Sequence, residues 1–177
     1  DSVTAIDGSK WHVLEESDIT NKYVTLLSDY NLNSDGTYNT SCGRDINGNF
    51  NCSTMAFDSN NTQTYDENDS NNIGYFIKNT YTPNVTKLLF ETKNITLPTA
   101  FQIALADNQI FNYSDLKITN DWLLTTNYWT TTIFTDNSYG VRVMYSTLSL
   151  LGGSGGSDNT NYGARPVITT LKTNLLG

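Results

Sequence analysis

The chain has 177 residues and a formal charge of -8, with 16 % charged and 37 % hydrophobic residues, among them 11 Tyr, 7 Phe and 3 Trp. That length supports one domain over 1–177 with a core hiding roughly 70 % of the unfolded surface, and the aromatic content excludes a disordered chain. The acidic balance, with no run concentrating Lys or Arg, excludes nucleic acid as a partner, because neutralising phosphates needs clustered cations.

In chain order, Lys10-Trp11-His12-Val13-Leu14 and Tyr23-Val24-Thr25-Leu26-Leu27 are rich in aromatic and β-branched residues and are separated by the charged turn Glu15-Glu16-Ser17-Asp18. They predict an opening pair of strands. The longest apolar runs, such as Val24-Thr25-Leu26-Leu27, fall far short of the roughly 18 residues that span a bilayer, so no membrane contact is expected of this segment. The start at Asp1, without a charged leader and apolar stretch, reads as a mature or truncated ectodomain.

From Asp29 to Asn72 the chain is polar and punctuated by Asn33-Ser34-Asp35-Gly36 and Asn47-Gly48-Asn49. It predicts a long surface excursion in which only Met55-Ala56-Phe57 reaches a core. Cys42 and Cys52 lie within it, about ten residues apart, and read as a disulfide whose closure removes about 2.5 to 3 kcal/mol of unfolded-state entropy. A disulfide places the protein in an oxidising compartment, here an extracellular one, at the cell surface or secreted.

Helical periodicity follows in Ile73-Gly74-Tyr75-Phe76-Ile77-Lys78. It returns after Pro98, where Ala100, Phe101, Ala104 and Leu105 repeat at the spacing of one buried face and predict a helix over 99–108. Asn127 to Phe134, Tyr139 to Tyr145 and Arg165 to Thr170 then read as strands. In the second of these, Val141 and Val143 alternate with Arg142 and Met144, as in a sheet with one face less buried. Gly152-Gly153-Ser154-Gly155-Gly156-Ser157 lacks the Gly-Lys-Ser/Thr ending of a phosphate loop and reads as a flexible hairpin connection.

The residues offer little catalytic chemistry. His12 is the single histidine and sits within a strand, which favours a structural role over that of a general base. Asp66-Glu67-Asn68-Asp69 clusters carboxylates without an apolar wall to raise a pKa, and reads as a solvated loop. Asn31, Asn33 and Asp35 copy the alternating oxygens of a calcium loop, but Cys42 stands where an EF-hand needs its bidentate Glu. An Asn-rich turn is therefore favoured, with calcium as the alternative. No metal or other cofactor is expected. The several Asn-x-Ser/Thr triplets, such as Asn94-Ile95-Thr96, reflect Asn/Thr-rich composition. Trp11 and Trp129 read as core, whereas Tyr139, Arg142, Tyr145, Asn159 and Tyr162, around the glycine run, are the candidate ligand-contacting residues.

Four pieces carry a resemblance: Gly8-Ser9-Lys10-Trp11-His12-Val13-Leu14, Leu97-Pro98-Thr99, Asn127-Tyr128-Trp129-Thr130 and Tyr162-Gly163-Ala164-Arg165-Pro166-Val167-Ile168. In this order the chain resembles the C-type-lectin-like domains of bacterial surface proteins, including those that close collagen-like adhesins and related domains of pilin-like proteins. The resemblance implies an α+β fold with a mixed, mainly antiparallel sheet, one or two helices and long loops. It also implies paired N- and C-terminal strands, and a display surface between the Tyr-Trp-Thr strand and the Arg-Pro-Val strand. Formylglycine-generating enzymes share this fold, but their reactive cysteine pair lies in the C-terminal half, whereas Cys42 and Cys52 lie in the first third, so no catalytic role transfers. The expected function is non-enzymatic binding or adhesion to a glycan or protein ligand. The alternative is the globular head of a filament or pilus subunit, packed against identical copies, without its N-terminal assembly helix.

Overall fold

The computed structural model describes residues 2–4, 9–16, 22–39, 54–82, 92–133, 140–146, 148–153 and 156–175. Among the described residues, nine strands form two sheets: β1 (Ser2–Thr4), β2 (Lys10–Glu16), β3 (Tyr23–Ser28), β4 (Thr92–Thr96), β5 (Leu116–Lys117), β6 (Tyr128–Ile133), β7 (Val141–Tyr145), β8 (Leu150–Gly153) and β9 (Val167–Leu171). The five-stranded sheet runs β1-β2-β3-β9-β4 and the four-stranded sheet β5-β8-β7-β6. Every neighbouring pair is antiparallel. With two short helices, the chain is a mixed α+β protein built mostly on antiparallel sheets.

The opening strands pair as their composition predicts, through Trp11↔Ser28, His12↔Leu27 and Val13↔Leu26. The closing strand behaves differently from the expectation that the first and last strands pair. β9 lies between β3 and β4, joined to them through Leu26↔Ile168 and Ile95↔Ile168, while among the described residues β1 pairs with β2 alone. The hydrophobic Val167-Ile168 segment has two faces to bury and finds cover for both only inside the sheet.

Neighbouring residues on a strand point to opposite faces, and here both faces are covered. Leu26, Trp129, Val143 and Ile168 enter a cluster with Trp11, Phe57, Ile73 and Ile77. Leu27, Tyr128, Met144 and Val167 enter a second one with Ala100, Ile103, Phe111 and Leu123. Val141, Arg142, Val143 and Met144 are therefore all buried, and the expected less buried face of β7 does not exist.

α1 (Ile73–Phe76) is capped by Asn72 and continues as a π turn over Ile77–Tyr81. α2 (Ala100–Ala106) falls inside the predicted 99–108, opened by a capping box between Thr99 and Gln102. Its buried face is Ala100, Ile103 and Ala104, and Phe101 and Leu105 point outward, contrary to the expected grouping. No helix among the described residues is long and apolar enough to cross a membrane.

The described parts of the polar excursion, 29–39 and 54–72, are more than surface loop. Asn31, Leu32, Phe57, Asp58 and Asn72 are buried, and three backbone bonds tie the segment to the closing stretch: Leu32 N to Ala164 O (2.8 Å), Met55 N to Tyr162 O (2.9 Å) and Asp58 N to Ser157 O (3.0 Å). The disulfide expected to pin it, Cys42 with Cys52, lies outside the described residues. The glycine run is likewise more than a connection. Gly152 and Gly153 pair with Val143 and Arg142 in the sheet, and Gly156 and Ser157 are buried. A Cβ at Gly152 would stand 3.3 Å from both the Tyr145 ring and the Leu150 side chain, a tight contact that one of them would have to relieve by a few tenths of an ångström.

The outer edge of β6 is also covered. Trp129 N donates to Gly163 O, Thr131 N to Pro98 O, and Gly163 N to Asn127 O, so the Leu97-Pro98 and Tyr162-Gly163 segments complete its hydrogen bonding.

Candidate functional site

The four described candidate contact residues, Arg142, Tyr145, Asn159 and Tyr162, form no shared exposed surface. Tyr139 lies outside the described residues. Tyr162 is 4 % exposed, its ring 4.8 Å from Trp129, and its hydroxyl donates to that of half-buried Tyr145 at 2.8 Å. The Tyr145 hydroxyl donates in turn to Gly153 O. Asn159, half-buried, accepts from Asn161 N at 2.9 Å and closes a local turn. Arg142 is 4 % exposed, so neither it nor Tyr162 is the surface residue expected, because both lie beneath the covered faces of the second sheet.

Asn31, Asn33 and Asp35 form no shared oxygen cage. Asn31 is buried, accepting from the Thr126 hydroxyl (2.7 Å) and donating to Asn127 O (3.2 Å). Asn33 and Asp35 instead hold an exposed turn through Thr37: the Asp35 carboxylate accepts from Thr37 N (3.0 Å) and Oγ1 (2.6 Å), and Asn33 donates to that Oγ1 (3.0 Å). The described residues contain no group of three or more His, Cys, Asp and Glu placed to hold a metal.

His12 joins a buried charged clasp. Its Nε2 lies 2.8 Å from Asp29 Oδ1, and its ring stacks on Trp122 at 4.8 Å. The His12 hydrogen bond, assisted by Arg165 and opposed by burial, holds the Asp29 carboxyl below the usual carboxylate range. Arg165, fully buried, reaches from the start of β9 to the carbonyls of Ser28, Trp122 and Leu123. Burial pushes the neighbouring Tyr128 hydroxyl up to about 12, so that ring remains a neutral face under the guanidinium, 5.0 Å away. All these groups are engaged with one another, which makes the cluster a structural fastening between the two sheets.

The surface feature that stands out is an aromatic platform on α2 and the loop after it. Seven large hydrophobic side chains are exposed among the described residues, and four of them lie here: Phe101 (45 %), Leu105 (58 %), Ile110 (88 %) and Tyr113 (43 %). Phe101 and Leu105 share one helix face, four residues apart. Phe101 meets Tyr113 edge-on at 5.4 Å, and both pack on the buried Phe111 ring, at 5.1 and 5.4 Å.

The loop carrying Tyr113 is firmly held. Tyr113 adopts φ 66, in the left-handed region that a bulky side chain disfavours by about 1–2 kcal/mol. Arg142, from beneath, donates to the Tyr113 carbonyl and to Asp115 Oδ1 (2.9 Å), with its guanidinium 5.5 Å from the Phe111 ring. At the base of the loop, the Asp107 carboxylate accepts from the backbone of Thr119 and Asn120, and Gln109 donates to Lys117 O. Arg142 thus supports the exposed Phe101–Tyr113 surface without belonging to it. The available signal for this surface was a pair of large apolar residues, Phe101 and Leu105, beside an Ala-Ile-Ala stripe already sufficient for burial. The Tyr113 conformation has no sequence signal. Comparison of the chain with protein-family models, with curated proteins and with solved structures found no match.

Proposed function

We propose that the chain is a non-enzymatic, extracellular binding domain of a bacterial surface protein, engaging a glycan or protein ligand through the Phe101–Tyr113 platform. The observation carrying this reading is the strained Tyr113 backbone, held by a buried arginine so that the ring stands against Phe101 beside exposed Leu105 and Ile110. Local strain persists only where surrounding structure over-determines it, and it concentrates at functional sites. Rigid aromatic side chains give contact area at small entropic cost, for sugar rings and protein side chains alike. A C-type-lectin-like architecture is part of the proposal. It is supported by the antiparallel sheets with two short helices and by the closing Arg165-Pro166-Val167-Ile168 segment at their junction.

Binding to glycan arrays and to surface-protein fractions, measured for the parent and for Phe101→Ala and Tyr113→Ala, tests the reading. Each substitution is expected to weaken a detected interaction by about 10- to 30-fold, the loss typical of a central aromatic contact, with little change in melting temperature. Ligand binding that both variants retain at full strength refutes the platform. A regular filament in native surface preparations, with this platform buried between subunits, replaces adhesion with self-assembly.

A further inference from the structure

The segment 54–72 offers few apolar side chains, yet a buried polar network holds it. The Asp58 carboxylate, 1 % exposed, accepts from Asn60 N (2.7 Å), the Thr62 hydroxyl and the Asn72 carboxamide (3.2 Å). Asn72, 3 % exposed, also donates to Thr64 O (2.7 Å) and accepts from Asp66 N (3.1 Å) and Gly74 N (2.9 Å). Nearby, Asn61 Oδ1 accepts from both the backbone and the hydroxyl of Ser157, each at 3.1 Å. Satisfied in this way, buried polar groups fix one geometry for a stretch that hydrophobic packing alone leaves loose.

That geometry forms one wall of an open cleft of about 300 Å³. Met55, Ile73 and Phe76 give it an apolar floor, and Ser34, Ser59, Ser70 and Asn71 a polar rim, with no charged side chain among its described lining residues. The Ser34 and Ser70 hydroxyls are exposed and make no side-chain hydrogen bond among the described residues, and Ser59 Oγ reaches Asn71 O only at 3.4 Å. Hydroxyls both donate and accept, so such a rim pairs with ligand hydroxyls in either sense. The described lining offers no charged side chain to pair with an ionic ligand, and the apolar floor suits the aliphatic face of a ring. The volume lies at the small end of ligand sites, with room for one ring.

From these features, the geometry points to a binding site for a single neutral pyranose, free or at the end of a glycan. The site is independent of the platform. Its floor belongs to the core cluster of Trp11, Phe57 and Trp129, whereas α2 packs on that of Ile103 and Tyr128.

Titration of the ¹⁵N-labelled domain with methyl β-D-glucopyranoside, methyl β-D-galactopyranoside and methyl α-D-mannopyranoside tests it, with glucuronate and glucosamine as charged controls. At least one glycoside is expected to give saturable shifts at the amides of Ser34, Ser59, Ser70 and Asn71. A dissociation constant on the order of 1 mM is expected, as for a small ligand making few contacts. Ser70→Phe, which fills the cleft, is expected to abolish the shifts. Ser59→Ala, which keeps the volume available, is expected to weaken binding several-fold with the spectrum otherwise unchanged, and it decides the matter if Ser70→Phe disturbs the fold. Any of four results overturns the proposal: no saturable shift with any glycoside, shifts confined to Phe101 and Tyr113, binding unaffected by both variants, or charged sugars binding equally well.

Discussion

Replacing Arg165 with Met keeps the volume of a fully buried side chain and removes its donors, which isolates the polar part of the clasp. The guanidinium serves Ser28 O at 2.5 Å, Trp122 O at 2.8 Å and Leu123 O at 3.4 Å. All three carbonyls lose their charged partner in the variant, but Leu123 O keeps the Tyr128 hydroxyl at 3.1 Å, so the loss falls on Ser28 O and Trp122 O. Each lost bond of this kind costs about 1.5–3 kcal/mol. Against this stands relief from burying a charge, since burial is the main influence pulling the Arg165 pKa down. The net expectation is a loss of about 2–4 kcal/mol. At this chain length that lowers the melting temperature by roughly 5–15 °C, read by circular dichroism at neutral pH. Asp29, 3.9 Å from Arg165, supplies the coupling check: Asp29→Asn should cost clearly less in the Arg165→Met background than alone. A melting temperature within about 2 °C of the parent, or strict additivity of the two substitutions, refutes the account.

The same clasp sets an acid limit. Because the folded Asp29 carboxyl is held below its unfolded value of about 3.9, its contribution is complete above about pH 4 and is lost as pH falls through the lower folded value. The melting temperature should therefore fall as the pH drops below about 4, and Asp29→Asn should flatten that part of the profile; an unchanged profile contradicts the role given to Asp29. Gly74→Ala puts a methyl group 2.8 Å from the Asp66 carbonyl oxygen and 2.9 Å from its carbon, where only backbone movement gives relief. A loss of about 1–3 kcal/mol is expected in denaturant unfolding, and a neutral effect would show that the Asp66 loop yields easily.

The elements best read from sequence are those with local patterns. Aromatic and β-branched clustering marks β2, β3, β6, β7 and β9, and Pro98 with the following apolar repeat marks α2. What escaped depends on distant partners. Asn31 finds Thr126 at a separation of 95 residues and Asn61 finds Ser157 at 96, and neither pairing leaves a trace in its neighbourhood. The excursion therefore read as loop because its anchors are polar and remote. Arg142 and Tyr162 read as surface because their residue types are common there, whereas two-sided burial of the second sheet decides otherwise. In α2, helical spacing placed Phe101 and Leu105 on a sensible stripe, but Ile103 shifts the buried face by about a fifth of a turn.

The position of β9 has a mechanical consequence. A pull along β9 must shear two ladders at once, to β3 over Tyr23–Leu27 and to β4 over Thr92–Thr96. A pull on β1 meets, among the described residues, the three-residue Ser2–Thr4 pairing with β2, which can peel one residue at a time. The domain is therefore a polarised load-bearer, resistant when tension enters through Leu171 and yielding early when it enters through Ser2. Single-molecule pulling with handles at those two points would resolve the difference as a low-force fraying of β1 before the main rupture.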